Sequence, residues 1–182
     1  MNNFVAPPYQ MLGGTFYVTL ATPDDAVDIG FIHSSSWKTT YAGIVHPSFL
    51  DAIDLNERIA GAEKRIANPA SDCLVLVARD SKQIVGFADV GPCREKNVDS
   101  DGELYAIYLL KEFQGTGGGK LLLDACISAA RERGYLKMMV SVLTQNISSC
   151  KFYEAMGAKY IGFDHVDIEE HRYPTSTYIW RL

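Results

Sequence analysis

Gln114-Gly115-Thr116-Gly117-Gly118-Gly119-Lys120 lies between an apolar run, Leu104 to Leu110, and a run of helical spacing, Leu121 to Ala130. The order reads as a strand, a bend, and a helix whose first turn is almost bare backbone. The first N–H groups of any helix lack intrahelical partners, the peptide dipoles place partial positive charge there, and glycines permit close approach. The stretch is therefore a place to hold a phosphate, and counting removes two kinds. A triphosphate loop requires G-x-x-x-x-G-K-[ST], whereas only three residues separate Gly115 from Gly119, and Leu121 stands where a magnesium-binding hydroxyl belongs. The dinucleotide fingerprint G-x-G-x-x-G fits Gly115 and Gly117 but needs glycine in place of Lys120, and it follows the first strand of a domain, not a late one.

At 182 residues the chain suffices for one domain, which would bury roughly 70% of the surface its unfolded form exposes. Residues 1–14, with Pro7, Pro8, Gly13 and Gly14, show no period and read as an arm, leaving 15–182 as the domain. Apolar residues make up 47% and charged residues 21%, values ordinary for a globular protein. No apolar run approaches the ~20 residues of a membrane span, and Met1-Asn2-Asn3-Phe4 lacks the regions of a signal peptide, so a cytoplasmic location without membrane association is expected.

Cys73, Cys93, Cys126 and Cys150 show no C-x-x-C spacing, and His33, His46, His165 and His171 fall in no H-E-x-x-H pattern. No metal is expected, and the histidines read as surface or capping residues. A formal net charge of −5 with no basic stripe argues against nucleic acid as partner. Asp99, Asp101 and Glu103 concentrate acid just before the strand that feeds the glycine loop. They form a solvated loop or a lure for a cationic substrate.

The pattern predicts strands at Thr15–Leu20, Cys73–Ala78, Ile84–Val90, Glu103–Leu109, Lys137–Val142, Tyr160–Ile168 and Ser176–Leu182. Helices are expected after the Thr22-Pro23-Asp24-Asp25 start signal, from Pro47 to Asn68-Pro69, from the glycine loop to Gly134, and from Asn146 to Met156 before Gly157. This order implies a mixed sheet with helices on its faces. The apolar final strand around Tyr178, Ile179 and Trp180 is a candidate homodimer surface.

Gln114, Gly117 and Gly119 match Q/R-x-x-G-x-G/A, which resembles the pyrophosphate signature of the GNAT superfamily of acetyl-CoA-dependent N-acetyltransferases. Glu103 to Leu109 resembles that family's fourth strand, and Asn146 followed by Phe152-Tyr153-Glu154-Ala155-Met156-Gly157 resembles its second cofactor motif. The likeness runs from about Thr15 to Leu182. It implies an α/β (α+β) fold with a mostly antiparallel mixed sheet splayed between the fourth and fifth strands. Trp37, Tyr41, Gly43, Ile44, Pro47 and Leu50 resemble a stretch that contributes to the acceptor pocket in many members. For Trp37 and Tyr41, core packing and pocket lining are equally physical readings.

The resemblance implies a reaction in which acetyl-CoA, without a metal, gives its acetyl group to the primary amine of a small molecule by direct attack in a ternary complex. It implies that main-chain groups of Ile107, Tyr108 and Leu109 bind the thioester and pantetheine, and that Gln114, Gly115, Thr116, Gly117, Gly118, Gly119 and Lys120 hold the pyrophosphate. Tyr153 would be the general acid for the departing thiolate, or alternatively a packed aromatic. An alkyl ammonium with a pKa near ~10.4 is reactive in about one molecule per thousand at neutral pH, so a base matters. Glu103 is the candidate, the other reading being an exposed strand-end acid. Asn146 would bond the pantetheine or cap the helix it opens. The alternative for the whole chain is a CoA- or acyl-CoA-binding module of the same fold without chemistry.

Overall fold

The computed structural model describes residues 9–11, 14–78 and 80–182. Along β3 (Asp72–Ala78) the side chains alternate between two cores. Leu74 and Leu76 point to one face while Cys73, Val75 and Val77 point to the other, and all five are buried. A strand covered on both sides reads as an unbroken apolar run, which is how it stood out in the sequence.

Around it lies an eight-stranded sheet. Chain order gives β1 (Tyr9–Met11), β2 (Gly14–Leu20), β3, β4 (Ile84–Pro92), β5 (Gly102–Leu109), β6 (Lys137–Leu143), β7 (Lys159–Ile168) and β8 (His171–Arg181). Spatial order is β1-β2-β3-β4-β5-β6-β8-β7, and every pairing is antiparallel except β5 with β6. Helices α1 (Ala26–Thr40) and α3 (Leu55–Ile66) cover one face. Helix α4 (Gly118–Glu132) covers the other, with Leu121, Leu122, Ala125, Cys126 and Ala129 in the larger core. Short helices α2 (Pro47–Asp51) and α5 (Ile147–Ala155) complete the fold. Among the described residues no helix is long and apolar enough to cross a membrane.

The expected arm, residues 1–14, falls largely outside the described residues, but its Tyr9–Met11 forms β1 against Gly14–Phe16. The helix expected from Pro47 to Asn68 is two helices. Asp54 starts the second by accepting a hydrogen bond from the Glu57 N–H (2.9 Å), so the chain breaks there to supply a cap. The last strand begins at His171, five residues earlier than its apolar pattern suggests. Pro174 concealed it, and it sits just past the Leu143–Thr175 end of the β6 ladder.

Strand β8 lies between β6 and β7, with Tyr178 and Trp180 buried. The homodimer surface expected around Tyr178, Ile179 and Trp180 is therefore corrected: these residues belong to the interior of the sheet. The histidines need a partial correction too. His46 caps α2, its Nδ1 accepting from the Ser48 N–H, but His33 is buried between α1 and the sheet.

Candidate active site

Strands β5 and β6 pair only at Gly102–Met138 and Glu103–Met139 and then diverge. Among the described residues, the β6-facing backbone of β5 has no strand partner from Leu104 onward. The divergence opens a cleft of about 920 Å³, with Ile107, Tyr108 and Leu109 on one wall and Val140, Val142 and Leu143 on the other. At one end lie Gln114, Gly115, Gly117, Gly119 and Lys120, and on the flank Asn146, Phe152 and Tyr153. Three segments distant in sequence thus meet around one space.

The glycine loop is shaped by a left-handed residue at its end. Gly117 has φ +87° and is the N-cap of α4, a conformation costing an L-residue roughly 1–2 kcal/mol. Leu121 N–H donates to the Gly117 carbonyl (3.1 Å), so the amides just ahead of it are the unsatisfied donors of a helix start. A Cβ on Gly118 would come within 2.6 Å of Leu76 Cδ2, whereas one on Gly119 would meet nothing closer than the Phe152 ring at 3.6 Å. Gly118 thus packs tightly on the core, whereas Gly119 has room for a Cβ in ordinary contact with Phe152 and Leu109. Thr116 also turns inward, its hydroxyl donating to the Phe113 carbonyl (2.6 Å). Neither Thr116 nor Gly118 lines the cleft, which leaves them only main-chain groups to offer a ligand. Gln114 Nε2 donates to the Leu109 carbonyl (3.2 Å), tying the loop to the end of β5.

Tyr153 is buried against Phe152, Tyr178 and Trp180, with ring centroids 5.5, 6.2 and 5.8 Å away. Burial pushes its phenol well above the usual range, so it keeps its proton at any physiological pH. Among the described residues none takes a hydrogen bond from its hydroxyl. Asn146 caps α5, its Oδ1 accepting from the Ser149 N–H (3.2 Å). It also meets the Tyr41 hydroxyl, which in turn meets that of Tyr108. Burial raises the phenols of both tyrosines. Trp37 and Tyr41 occupy both expected environments. They pack on each other (4.6 Å) in a small cluster with Val45 and Leu50, and they line the cleft.

Glu103 is neither an exposed strand-end acid nor a free carboxylate. It is 5% exposed and accepts from three donors of one residue: the Arg94 N–H (2.9 Å), Nε (3.1 Å) and Nη2 (2.5 Å). The bond to Glu103 is what raises the Arg94 guanidinium further, and Arg94 lies 4.0 Å over the Tyr105 ring. Sequence reading named Glu103 but not its pairing with Arg94. The sequence predicts the β7–β8 strands, but not that their hairpin reaches the cleft, which Asp164, Val166, Ile168, Thr175 and Thr177 line. These are small polar or singly placed residues in no motif, brought in only by the sheet order. Among the described residues no group of His, Cys, Asp and Glu could hold a metal ion.

Behind Trp37 and Tyr108, His33 sits with its ring centroid 5.1 Å from Tyr108 and its Nδ1 without a hydrogen-bond partner among the described residues. Desolvation first, then Arg58 and Arg65, lower its pKa from 6.5 to about 3. The unfolded chain therefore binds more protons between those values. The neutral imidazole's contribution is complete above pH 6.5 and is lost as pH falls towards 3. Asp89, raised to about 6 by burial, tilts stability the opposite way, so the His33 effect has to be read as a difference. The stability advantage of wild type over His33→Phe should shrink by up to about 1.4 kcal/mol per pH unit as pH drops below 6.5, measured by urea unfolding. A difference flat in pH would show that His33 is not held neutral.

The model of the Acetyltransferase (GNAT) family matches residues 23–158, most of the chain and all of the cleft except the hairpin. The chain belongs to the GNAT acetyltransferase family. Among the relatives of this GNAT protein is the uncharacterized N-acetyltransferase YuaI of Bacillus subtilis, 36% identical over 146 residues, covering 80% of this chain and 81% of that one. The [ribosomal protein bS18]-alanine N-acetyltransferase of Haemophilus influenzae is 35% identical over 59% of this chain and 66% of its own. The spermidine N(1)-acetyltransferase of Thermoplasma acidophilum is 29% identical over 76% and 85%. In fold, the chain matches the crystal structure of the PaiA N-acetyltransferase of T. acidophilum in complex with coenzyme A. The TM-score is 0.69 at 21% identity, over 92% of this chain and 99% of that one.

Proposed function

We propose that this GNAT protein, as a single domain over residues 15–182, transfers an acetyl group from acetyl-CoA to the primary amine of a small molecule by direct attack in a ternary complex. The observation that carries the reading is the divergence of β5 from β6, which brings the glycine loop, unpaired β5 backbone and Tyr153 to one cleft. The residues fit the cofactor: unsatisfied amides at the start of α4 suit a pyrophosphate, and Gly117 and Gly119 line the cleft without side chains of their own. Gln114 to Lys120 would hold that group, while Ile107 to Leu109 offer main-chain donors and acceptors to the arm and Asn146 flanks it. Bound acetyl-CoA supplies an activated acetyl thioester. Tyr153 holds a proton beside the cleft for the leaving sulfur. Glu103, already committed to Arg94, would assist amine deprotonation only through water or after that pair opens. The acceptor end, with Trp37 and Tyr41 on one side and the hairpin on the other, suits a small amine, as does the relationship to a spermidine acetyltransferase.

The test is release of free thiol from acetyl-CoA in the presence of polyamines, amino acids and peptide N-termini in turn. Amine-dependent thiol release with a small-molecule class is expected. Saturable acetyl-CoA binding without release on any amine would instead make the chain a binding module, and release only on peptides would move the acceptor to a protein amine.

A further inference from the structure

The Arg94–Glu103 pair leaves hydrogen-bonding capacity unspent on both of its members. A carboxylate offers about four acceptor sites. Arg94 takes two on Glu103 Oε2 and one on Oε1, so a site remains on Oε1. A guanidinium carries about five N–H donors in a planar fork, and Arg94 spends only one from Nε and one from Nη2. Its Nη1 group and the second Nη2 hydrogen, the end edge of that fork, have no partner among the described residues. The edge is also held in place. Cys93 N–H donates to the Asp101 carbonyl (2.8 Å), fixing the chain just past β4, and the guanidinium lies 4.0 Å over the Tyr105 ring, whose hydroxyl donates to the Pro92 carbonyl (2.5 Å). Even so, the Arg94 side chain is 62% exposed. Among the described residues it is the one arginine lining the cleft, whereas Lys111 and Lys120 belong to the glycine-loop end.

We propose that the end edge of Arg94 is a carboxylate-recognition site, and that the acceptor is an α-amino acid whose carboxylate it binds. This rests on the acetyl-transfer reading of the same cleft and narrows its acceptor. Two parallel N–H donors in a plane match a carboxylate bidentately. In an α-amino acid the amino group stands one carbon from the carboxylate, so anchoring the one at Arg94 sets the other beside the open acceptor site of Glu103. The ion pair thus presents a positive and a negative group side by side to a ligand that carries the opposite two. A simple monoamine would leave the guanidinium edge to water, and a polyamine would set further positive charge against it. Glu95 and Asp164 also line the cleft, which disfavours a bare anion but not a zwitterion. Glu103 stands where β5 still pairs with β6, at the closed end of the cleft. A donor arm held at the glycine loop and running back along β5 would point its thioester towards that end.

The test measures kcat/KM by thiol release for amino acids with small, apolar, aromatic and basic side chains, each against its amide and its decarboxylated amine. The best amino acid is expected to exceed both analogues by about 10²-fold. Arg94→Gln should bring it down to the level of its amide. Loss of Glu103's partner touches all three acceptors alike, so the ratio between them reports the carboxylate alone. A wild type that uses the amide or the decarboxylated amine equally well, or a preference that survives Arg94→Gln, would overturn the proposal. Calorimetric titration of the same compounds into the full chain with CoA needs no turnover. Carboxylate-dependent binding without thiol release would uphold the site while ending the enzymatic reading; equal binding of all three, or none, would overturn the site. Should Arg94→Gln fail to fold, the wild-type comparison decides together with Arg94→Lys, which keeps the charge but not the fork and should reduce the preference.

Discussion

Tyr153→Phe should lower turnover roughly 10²-fold while leaving acetyl-CoA affinity and protein stability nearly unchanged. The substitution removes an oxygen and little else. The ring is wedged between Phe152, Tyr178 and Trp180, and a phenylalanine fills the same volume. Since no described residue takes a hydrogen bond from the hydroxyl, its loss leaves no buried partner unsatisfied, which is the usual source of a large penalty. Burial keeps the phenol protonated far above neutral pH, so the group can deliver a proton but has no role as a resting base. A thiolate leaving without that proton faces a higher barrier, and the deficit falls on kcat rather than on the KM for acetyl-CoA. Steady-state kinetics with the best amine of the panel, together with a thermal melt, distinguishes the outcomes. Unchanged kcat would remove Tyr153 from the chemistry; a lowered kcat accompanied by a lower melting temperature would point to packing instead.

What the sequence made legible was what local chemistry determines. The Gly115–Lys120 loop, the Asn146 cap and the strand before the loop each carry their own signal, because a positive φ, a free helix start or a capping side chain constrains residue type at a fixed spacing. Pairings between distant segments carry no such signal. The Arg94–Glu103 ion pair depends on β4 and β5 lying side by side, and its consequence, a candidate base already engaged, could not be read from either residue. Placement of β8 inside the sheet and β7 at its edge reverses the order in the chain. An apolar run at the end of the sequence therefore looked like an open surface when the open surface was the mixed run before it. His33 shows the same limit: a polar residue on the buried stripe of α1 is held neutral first by burial under the folded chain and then by arginines two elements away.

Gly117→Glu should abolish acetyl-CoA binding, and two separate physical effects converge on that residue. The backbone at φ +87° lies where any side chain is strained by roughly 1–2 kcal/mol, so the loop's most stable conformation changes. A carboxylate at the N-cap of α4 would then compete for the partial positive charge and free amides that a pyrophosphate would use, and would repel the pyrophosphate itself. Gly117→Asn separates the two, because asparagine tolerates the left-handed region and carries no charge. At a hundredfold excess over Kd, a ligand stabilises its protein by about 2.7 kcal/mol, which for a chain of this size corresponds to a rise in Tm on the order of 5–10 °C. Wild type should show that rise with acetyl-CoA, Gly117→Asn a reduced one, and Gly117→Glu none, with the unliganded variants melting only a few degrees lower. If Gly117→Glu retained the full rise, the phosphates would not lie at the start of α4. If Gly117→Asn lost it as completely as Gly117→Glu, conformation rather than charge would be the requirement at this position.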